Sequence, residues 1–250
     1  MQRRQFGKGA VAALGSVFLG GGFGVGMPSI ARAALGTSRS FQPGFVPPGR
    51  YGIKTYPNRL PLAEGEVILT FDDGPLPGTT DRILNTLGNE NVRATFFLIG
   101  RNAAASPHLV RRMVAEGHTI ANHTMSHPWT MRNISFERGI ADIRAGEAAI
   151  SQAAGRRPAP FFRFPGFADT PALLDYLQTE RQIVMGTDFW ASDWNPMTPE
   201  AQLTLVMRRL RQARGGMVLF HDTRPQTAAM LPALLRQMQS EGYRVVHITG

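Results

Sequence analysis

Seven short apolar runs alternate with helical segments along this chain, and that alternation restricts its fold more than any other feature. The runs lie at 66–71, 94–99, 118–121, 161–164, 183–186, 217–220 and 245–248. Each has the length and composition of a buried strand. Helical segments are expected at 79–90, 106–116, 135–153, 171–180, 198–213 and 226–240. Pro107, Pro171 and Pro199 each follow a hydroxyl residue and occupy a first helical position. Gly117 and Gly242 stand where helix C-terminal glycines belong. Strict strand–helix alternation implies a parallel sheet with crossover helices. Seven strands in about 190 residues come close to a barrel, an architecture whose functional groups gather at the C-terminal strand ends.

Polar residues recur at those ends: Asp72 and Asp73, His123, Arg163, Asp188 and His221. The segment Thr70-Phe71-Asp72-Asp73-Gly74 closes the first run with two adjacent acids. Side chains alternate along a strand, so neighbouring acids point to opposite faces. Where the strand yields to a loop at Gly74-Pro75, both can converge. The pair His123 and His127 is spaced i, i+4, which on a helical turn stacks both rings on one face and offers two nitrogens to a divalent metal. Thr124 excludes the His-Glu-x-x-His peptidase motif. One Asp with two His makes a three-ligand set.

Taken in order, Thr70–Gly74, His123–His127, Arg163-Phe164-Pro165-Gly166, Asp193-Trp194 and Leu219-Phe220-His221-Asp222 resemble the motifs of the polysaccharide deacetylases of carbohydrate esterase family 4, the NodB homology domain. The resemblance spans about 64–249 and implies an α/β fold, a distorted (β/α) barrel of seven strands forming a single catalytic domain. It implies that Asp73, His123 and His127 hold a divalent metal, Zn²⁺ foremost, with Co²⁺ or Ni²⁺ as alternatives. Asp72 would be the general base, Arg163 its ion-pair partner, His221 the general acid and Asp193 the group that orients His221. Leu219 and Trp194 would line an acetyl pocket, and the Gly166 N–H would stabilise an oxyanion. The reaction would be removal of N-acetyl groups from an acetylated polysaccharide. An O-acetyl esterase on a polymer such as xylan, and a non-catalytic glycan-binding barrel, are the alternatives. Two positions depart from the family pattern. Gly166 stands where an aromatic residue is frequent, a loss that Phe167 could make good. Asp188 is either a displaced member of the fourth motif or a structural residue.

Other polar groups read as scaffold. Asp222 is expected as a helix or turn cap, and His108, His118 and His247 as structural or surface residues. The arginines at 208, 209, 211 and 214 read as a solvated helix face, with no nucleic-acid partner. Residues 1–33 carry a twin-arginine pattern, Arg3-Arg4-Gln5-Phe6-Gly7-Lys8, then a Gly- and Ala-rich run and a cleavage site ending Ala31-Arg32-Ala33. This predicts passage through the twin-arginine export machinery to the bacterial periplasm or beyond, with no membrane anchor after cleavage. The absence of Cys excludes disulfides and a lipoprotein anchor. The whole chain carries +9, and loss of Arg3, Arg4, Lys8 and Arg32, with no acid among those residues, leaves +5. That charge suits anionic envelope polymers. Residues 34–63, rich in Pro and Gly, are expected as an arm that wraps or tethers the domain at 64–250.

Overall fold

Alternation within β3 (Glu66–Asp72) explains how this fold separates core from site. Val67, Leu69 and Phe71 share one cluster with Ile83, Leu84 and Leu87 of α1 (Thr80–Asn89), under the outer helices. Ile68 faces the other way, into a second cluster with Phe97, Met217 and Ile248. The period of two therefore puts Thr70 and Asp72 on the inner face with Ile68. The Phe71 ring stacks on Phe96 and Phe220 at 5.1 and 5.5 Å between centroids. Burying each such ring contributes about 1.5–3 kcal/mol.

The computed structural model describes residues 34–41 and 46–250. The export segment and cleavage site read at 1–33 lie outside the described residues. Around β3 stand β1 (Thr37–Phe41), β2 (Arg50–Tyr51), β4 (Thr95–Leu98), β5 (Thr119–Asn122), β6 (Phe161–Phe162), β7 (Ile183–Met185), β8 (Phe189–Trp190), β9 (Gly216–His221) and β10 (Arg244–Ile248). Every ladder between them is parallel. β3 is the hub: β10 pairs with its first two residues, β4 with its last three and β9 with Val67–Asp72. The order continues β4-β5-β6-β7-β2 on one side and β9-β8 on the other, with no ladder joining β7 to β8 among the described residues. The result is a distorted, incompletely closed (β/α) barrel. Its outer helices are α1, α2 (Gly100–Ala105), α3 (Pro107–Ala115), α4 (Phe136–Ala154), α5 (Pro171–Thr179), α6 (Pro199–Ala213) and α7 (Pro225–Ser240). Thr170 and Thr198 cap α5 and α6, accepting from the N–H of Leu173 and Ala201, each at 3.2 Å.

Three strands and one helix have no counterpart in the sequence reading. β1 is polar (TSRSF) and β2 and β8 are two residues each, too short for periodicity to register. β1 runs beside β10 from Thr37 opposite Val245 to Phe41 opposite Ile248, and β2 pairs with β7. Phe41, Val46, Tyr51 and Leu60 then join the inner cluster. The segment 34–63 thus supplies both sheet edge and core.

His118 and His247 lie in this scaffold. His118 Nδ1 accepts the Ala94 N–H at 3.1 Å, and His247 Nε2 lies 2.9 Å from the Thr119 hydroxyl, which donates to the Ile248 carbonyl. Burial lowers both imidazoles from 6.5 to about 4. Below 6.5 the unfolded chain takes up protons that the folded rings refuse, so stability falls as pH drops from about 6.5 to 4. His118→Asn keeps an acceptor for Ala94 and removes one of these titrations. Its melting temperature should fall less steeply than that of the wild type across that window, the difference amounting to at most about 1.4 kcal/mol per pH unit. Parallel slopes would contradict a buried, neutral His118.

Candidate active site

Asp72 ends β3 on the inner face, almost fully buried. Its Oδ1 accepts from Arg163 Nη1 at 2.6 Å. Arg163, just past β6, is itself fully buried, and its donors are taken up: Nε by the Met185 carbonyl at 3.1 Å, Nη2 by the Gly186 carbonyl at 2.6 Å, Nη1 also by Thr70 Oγ1 at 2.9 Å. The guanidinium carbon lies 4.0 Å from the centre of the Phe97 ring. Arg163 therefore aims Asp72 and has no donor left for a ligand. Burial pushes the Asp72 carboxyl up from its ordinary value, and the Arg163 charge opposes that rise.

Asp73 adopts a left-handed backbone, φ +78°. That reversal brings the second acid toward the first, the convergence expected where the strand breaks. Asp73 Oδ1 lies 3.6 Å from His123 Nε2 and 3.3 Å from His127 Nε2. It is buried and has no hydrogen-bond partner. His123 Nδ1–H donates to the Arg163 carbonyl at 2.6 Å, which fixes the tautomer and leaves Nε2 bare toward Asp73. Burial holds the His123 imidazole at about 3, hence neutral. An orphaned carboxylate oxygen facing two imidazole nitrogens, all ligand atoms within 4.8 Å of one another, fits a divalent cation.

The helical turn expected for His123–His127 is not there. The segment is a loop after β5 with Thr124 at φ +70° and His127 at φ +55°. Side-chain and backbone bonds hold it: Thr124 N–H to Asn122 Oδ1, His127 N–H to Thr124 Oγ1, and Met125 N–H to the Asp142 carbonyl. The His rings meet edge to face at 4.9 Å because the loop curls, not because a helix stacks them. The loop rests on α2 and α4 where both lack side chains. A Cβ at Gly146 would lie 2.5 Å from the Thr124 carbonyl carbon, and one at Gly100 would lie 2.8 Å from the Gly146 Cα. Gly146→Ala should push the loop outward and weaken metal binding at least tenfold by titration, in the range of lost supporting contacts. Unchanged affinity would show that the loop is not seated by this contact.

His221 ends β9 opposite the His pair, its Nε2 3.9 Å from Asp73 Oδ2. Its Nδ1–H donates to Asp193 Oδ1 at 2.7 Å, and its backbone N–H donates to Asp193 Oδ2 at 2.7 Å. Thr227 Oγ1–H also donates to Asp193 Oδ2 at 2.8 Å. Burial works against a charge on His221, but the hydrogen bond and charge of Asp193 outweigh it and raise the imidazole to about 9. His221 is thus a cationic donor at neutral pH.

These groups face one cavity of about 350 Å³, walled by Gly166, Leu219 and the rings of Trp129, Phe167, Trp190 and Trp194. All ten residues singled out for the site gather here, with Arg163 and Asp193 one layer behind. Phe167, at φ +55°, lies near-parallel to Trp190 at 6.4 Å and is an aromatic wall beside Gly166. A Cβ at Gly166 would meet the Trp129 ring at 3.2 Å, so Trp129 covers the place a side chain at 166 would take. Asp188 is structural: its carboxylate accepts from the N–H of Ile53 at 3.1 Å and of Met217 at 2.8 Å, tying the arm to β9. Asp222 caps neither α1 nor α7: its buried carboxylate accepts from the Thr80 hydroxyl at 2.7 Å, tying the turn after β9 to the first residue of α1, and burial raises its carboxyl to about 7. Arg224 lines the cavity too, and no motif or periodicity in the sequence points to it.

The family model for polysaccharide deacetylases matches residues 60–185. A peptidoglycan-N-acetylglucosamine deacetylase of Bacillus cereus is 32% identical over 198 residues, covering 76% of this chain and 89% of that protein. A chitooligosaccharide deacetylase of Bradyrhizobium is 34% identical over 199 residues, 72% of this chain and 87% of that one. Among solved structures, a Bdellovibrio bacteriovorus peptidoglycan deacetylase superposes with a TM-score of 0.77 at 28% identity, over 88% of this chain and 61% of that chain. By the family match over half of its length and by these identities, this chain belongs to the polysaccharide deacetylase family.

Proposed function

We infer that the protein hydrolyses N-acetyl groups on an N-acetylated polysaccharide of the bacterial envelope or its surroundings, releasing acetate and leaving a free amine. The observation that carries this reading is the convergence of Asp72, the Asp73–His123–His127 set and His221 on one cavity. Asp73, His123 and His127 would hold the metal, with Zn²⁺ favoured and Co²⁺ or Ni²⁺ compatible with the same nitrogen and oxygen donors. When bound, a divalent cation acidifies water and polarises an acyl oxygen. Asp72, aimed by Arg163, takes the proton of the attacking water, and burial raises its carboxyl above the ordinary value, which strengthens it as a base. His221, held cationic by Asp193, delivers a proton to the leaving nitrogen. The Gly166 N–H supports the oxyanion of the tetrahedral intermediate, and Leu219 with Trp194 receives the acetyl methyl.

The relatives named for peptidoglycan and for chitooligosaccharides favour amide over ester hydrolysis, since both polymers present N-acetylated glucosamine. The twin-arginine pattern supports export of the folded chain to the periplasm or outside the cell. Among the described residues no helix is long and apolar enough to cross a membrane. The test is acetate release by the purified protein after chelation, with and without added Zn²⁺, on N-acetylglucosamine oligomers, peptidoglycan fragments and acetylated xylan. Metal-dependent release from either of the first two is expected. Release from xylan alone would make it an esterase, and no release from any, with metal bound, would overturn the reading.

A further inference from the structure

One cation in the catalytic cavity has no part in the chemistry above. Arg224 follows His221 by three residues, and its N–H donates to the His221 carbonyl at 3.3 Å, so the turn that places the general acid also places this guanidinium. Its side chain lines the cavity, and its Nε is buried without a hydrogen-bond partner. A guanidinium carries five donors in a planar fork and stays charged at any ordinary pH. A buried donor left unmet is unusual enough to need a reason. The comparable arginines are occupied: Arg163 by Asp72 and two carbonyls, Arg39 by Glu66, Arg209 by the Trp190 carbonyl and Ser192. Among the described residues no ion pair engages Arg224. Nor can the cavity's own acids answer it. Asp72 is held by Arg163, and Asp73 faces the two imidazoles. Lys54 Nζ lies 5.6 Å from the centre of the ring of Trp190, which walls the cavity.

A donor fork at the edge of a site that takes sugars calls for an acceptor the protein does not supply, and the acceptor that matches a guanidinium best is a carboxylate. We propose that Arg224 sets substrate preference by pairing with a carboxylate borne by the polysaccharide close to the N-acetylated sugar. The substrate class is then an anionic N-acetylated glycan and not a neutral one. This rests on the deacetylase reading. Two sources of the carboxylate share this chemistry: an acidic ether substituent on the sugar itself, or a peptide attached to it.

The experiment measures kcat/KM for acetate release by the Zn²⁺-loaded full-length mature protein on four oligosaccharides of equal length. These are N-acetylglucosamine oligomer, the N-acetylglucosamine–N-acetylmuramic acid repeat with free lactyl carboxylates, its methyl ester, and the same repeat bearing stem peptides. Wild type, Arg224→Gln and Arg224→Lys are compared, with metal content and melting temperature recorded for each. A charge-assisted pair at this site is expected to give the wild type about a tenfold advantage on the free acid over the ester. Arg224→Gln should lose that advantage entirely, so that acid and ester are turned over alike, and Arg224→Lys should recover part of it. If the peptide-bearing glycan is the one whose preference vanishes in Arg224→Gln, the carboxylate is the peptide's and the proposal stands. If Arg224→Gln keeps the wild-type preference for both the free acid and the peptide-bearing glycan, or if the wild type prefers neither, the proposal is overturned while the deacetylase reading stays intact. No acetate from any oligosaccharide would instead remove that reading, and this inference with it.

Discussion

Asp72→Asn should abolish turnover while metal content stays near one ion per chain. The amide is nearly isosteric, and its oxygen can still accept from Arg163 Nη1, now 2.6 Å from Asp72 Oδ1. The three groups proposed to hold the metal, Asp73, His123 and His127, are untouched. What disappears is a group able to take a proton from water. General base catalysis is worth about 10²–10⁴ in rate, so kcat should fall by at least about two orders of magnitude. The substitution also strips the counter-charge from a fully buried arginine. Breaking a buried pair on one side costs about 3–5 kcal/mol when nothing else compensates. Here Arg163 keeps the Met185 and Gly186 carbonyls and Thr70 Oγ1, so the loss should fall below that range. Metal analysis, a thermal melt and kcat on one preparation separate these effects. A folded, metal-loaded variant retaining a tenth of the activity would remove Asp72 as the base.

His127→Ala should lose metal and activity together. His127 is one of the three proposed ligands, and its Nε2 is the nearer of the two imidazole nitrogens to the orphaned Asp73 oxygen. Loss of a mere supporting partner weakens a metal site about 10–100-fold, and loss of a ligand should exceed that. The ring also packs edge to face on Trp129 at 4.6 Å. Its removal should shift the emission of that exposed indole, giving a signal independent of turnover. Dialysis against a chelator followed by metal titration provides the measurement. A variant that binds the cation with native affinity would break the ligand assignment.

How much of this could be read from the chain differs residue by residue. The seven main strands and the acids, imidazoles and guanidinium at their ends follow from local periodicity, because a strand of fixed rise exposes alternate residues whatever surrounds it. Asp72 and Asp73 belong to that class. His123 and His127 do come together, but not as their spacing implies: i, i+4 suggests a helical turn, yet left-handed residues at 124 and 127 build a loop instead. No pattern in residues 123–127 could reveal this, since the loop is seated by Gly100 and Gly146 on helices distant in sequence. Asp188 and Asp193 look equally available in sequence. Only the structure shows that the first binds backbone amides of the arm and β9 while the second holds His221.

The sequence by itself determined the fold class, the family and the inventory of reactive groups, because strand length, helix punctuation and short motifs are encoded over a few neighbouring residues. Tertiary structure alone decided which of those groups meet. Arg163 reaches Asp72 across 91 positions, and His221 reaches Asp193 across 28. It also decided that a polar segment, Thr37–Phe41, becomes a strand by pairing with β10, and that Arg224 opens into the cavity with its Nε unmet. Such facts depend on contacts closed by folding, where the partner and not the residue type sets the outcome.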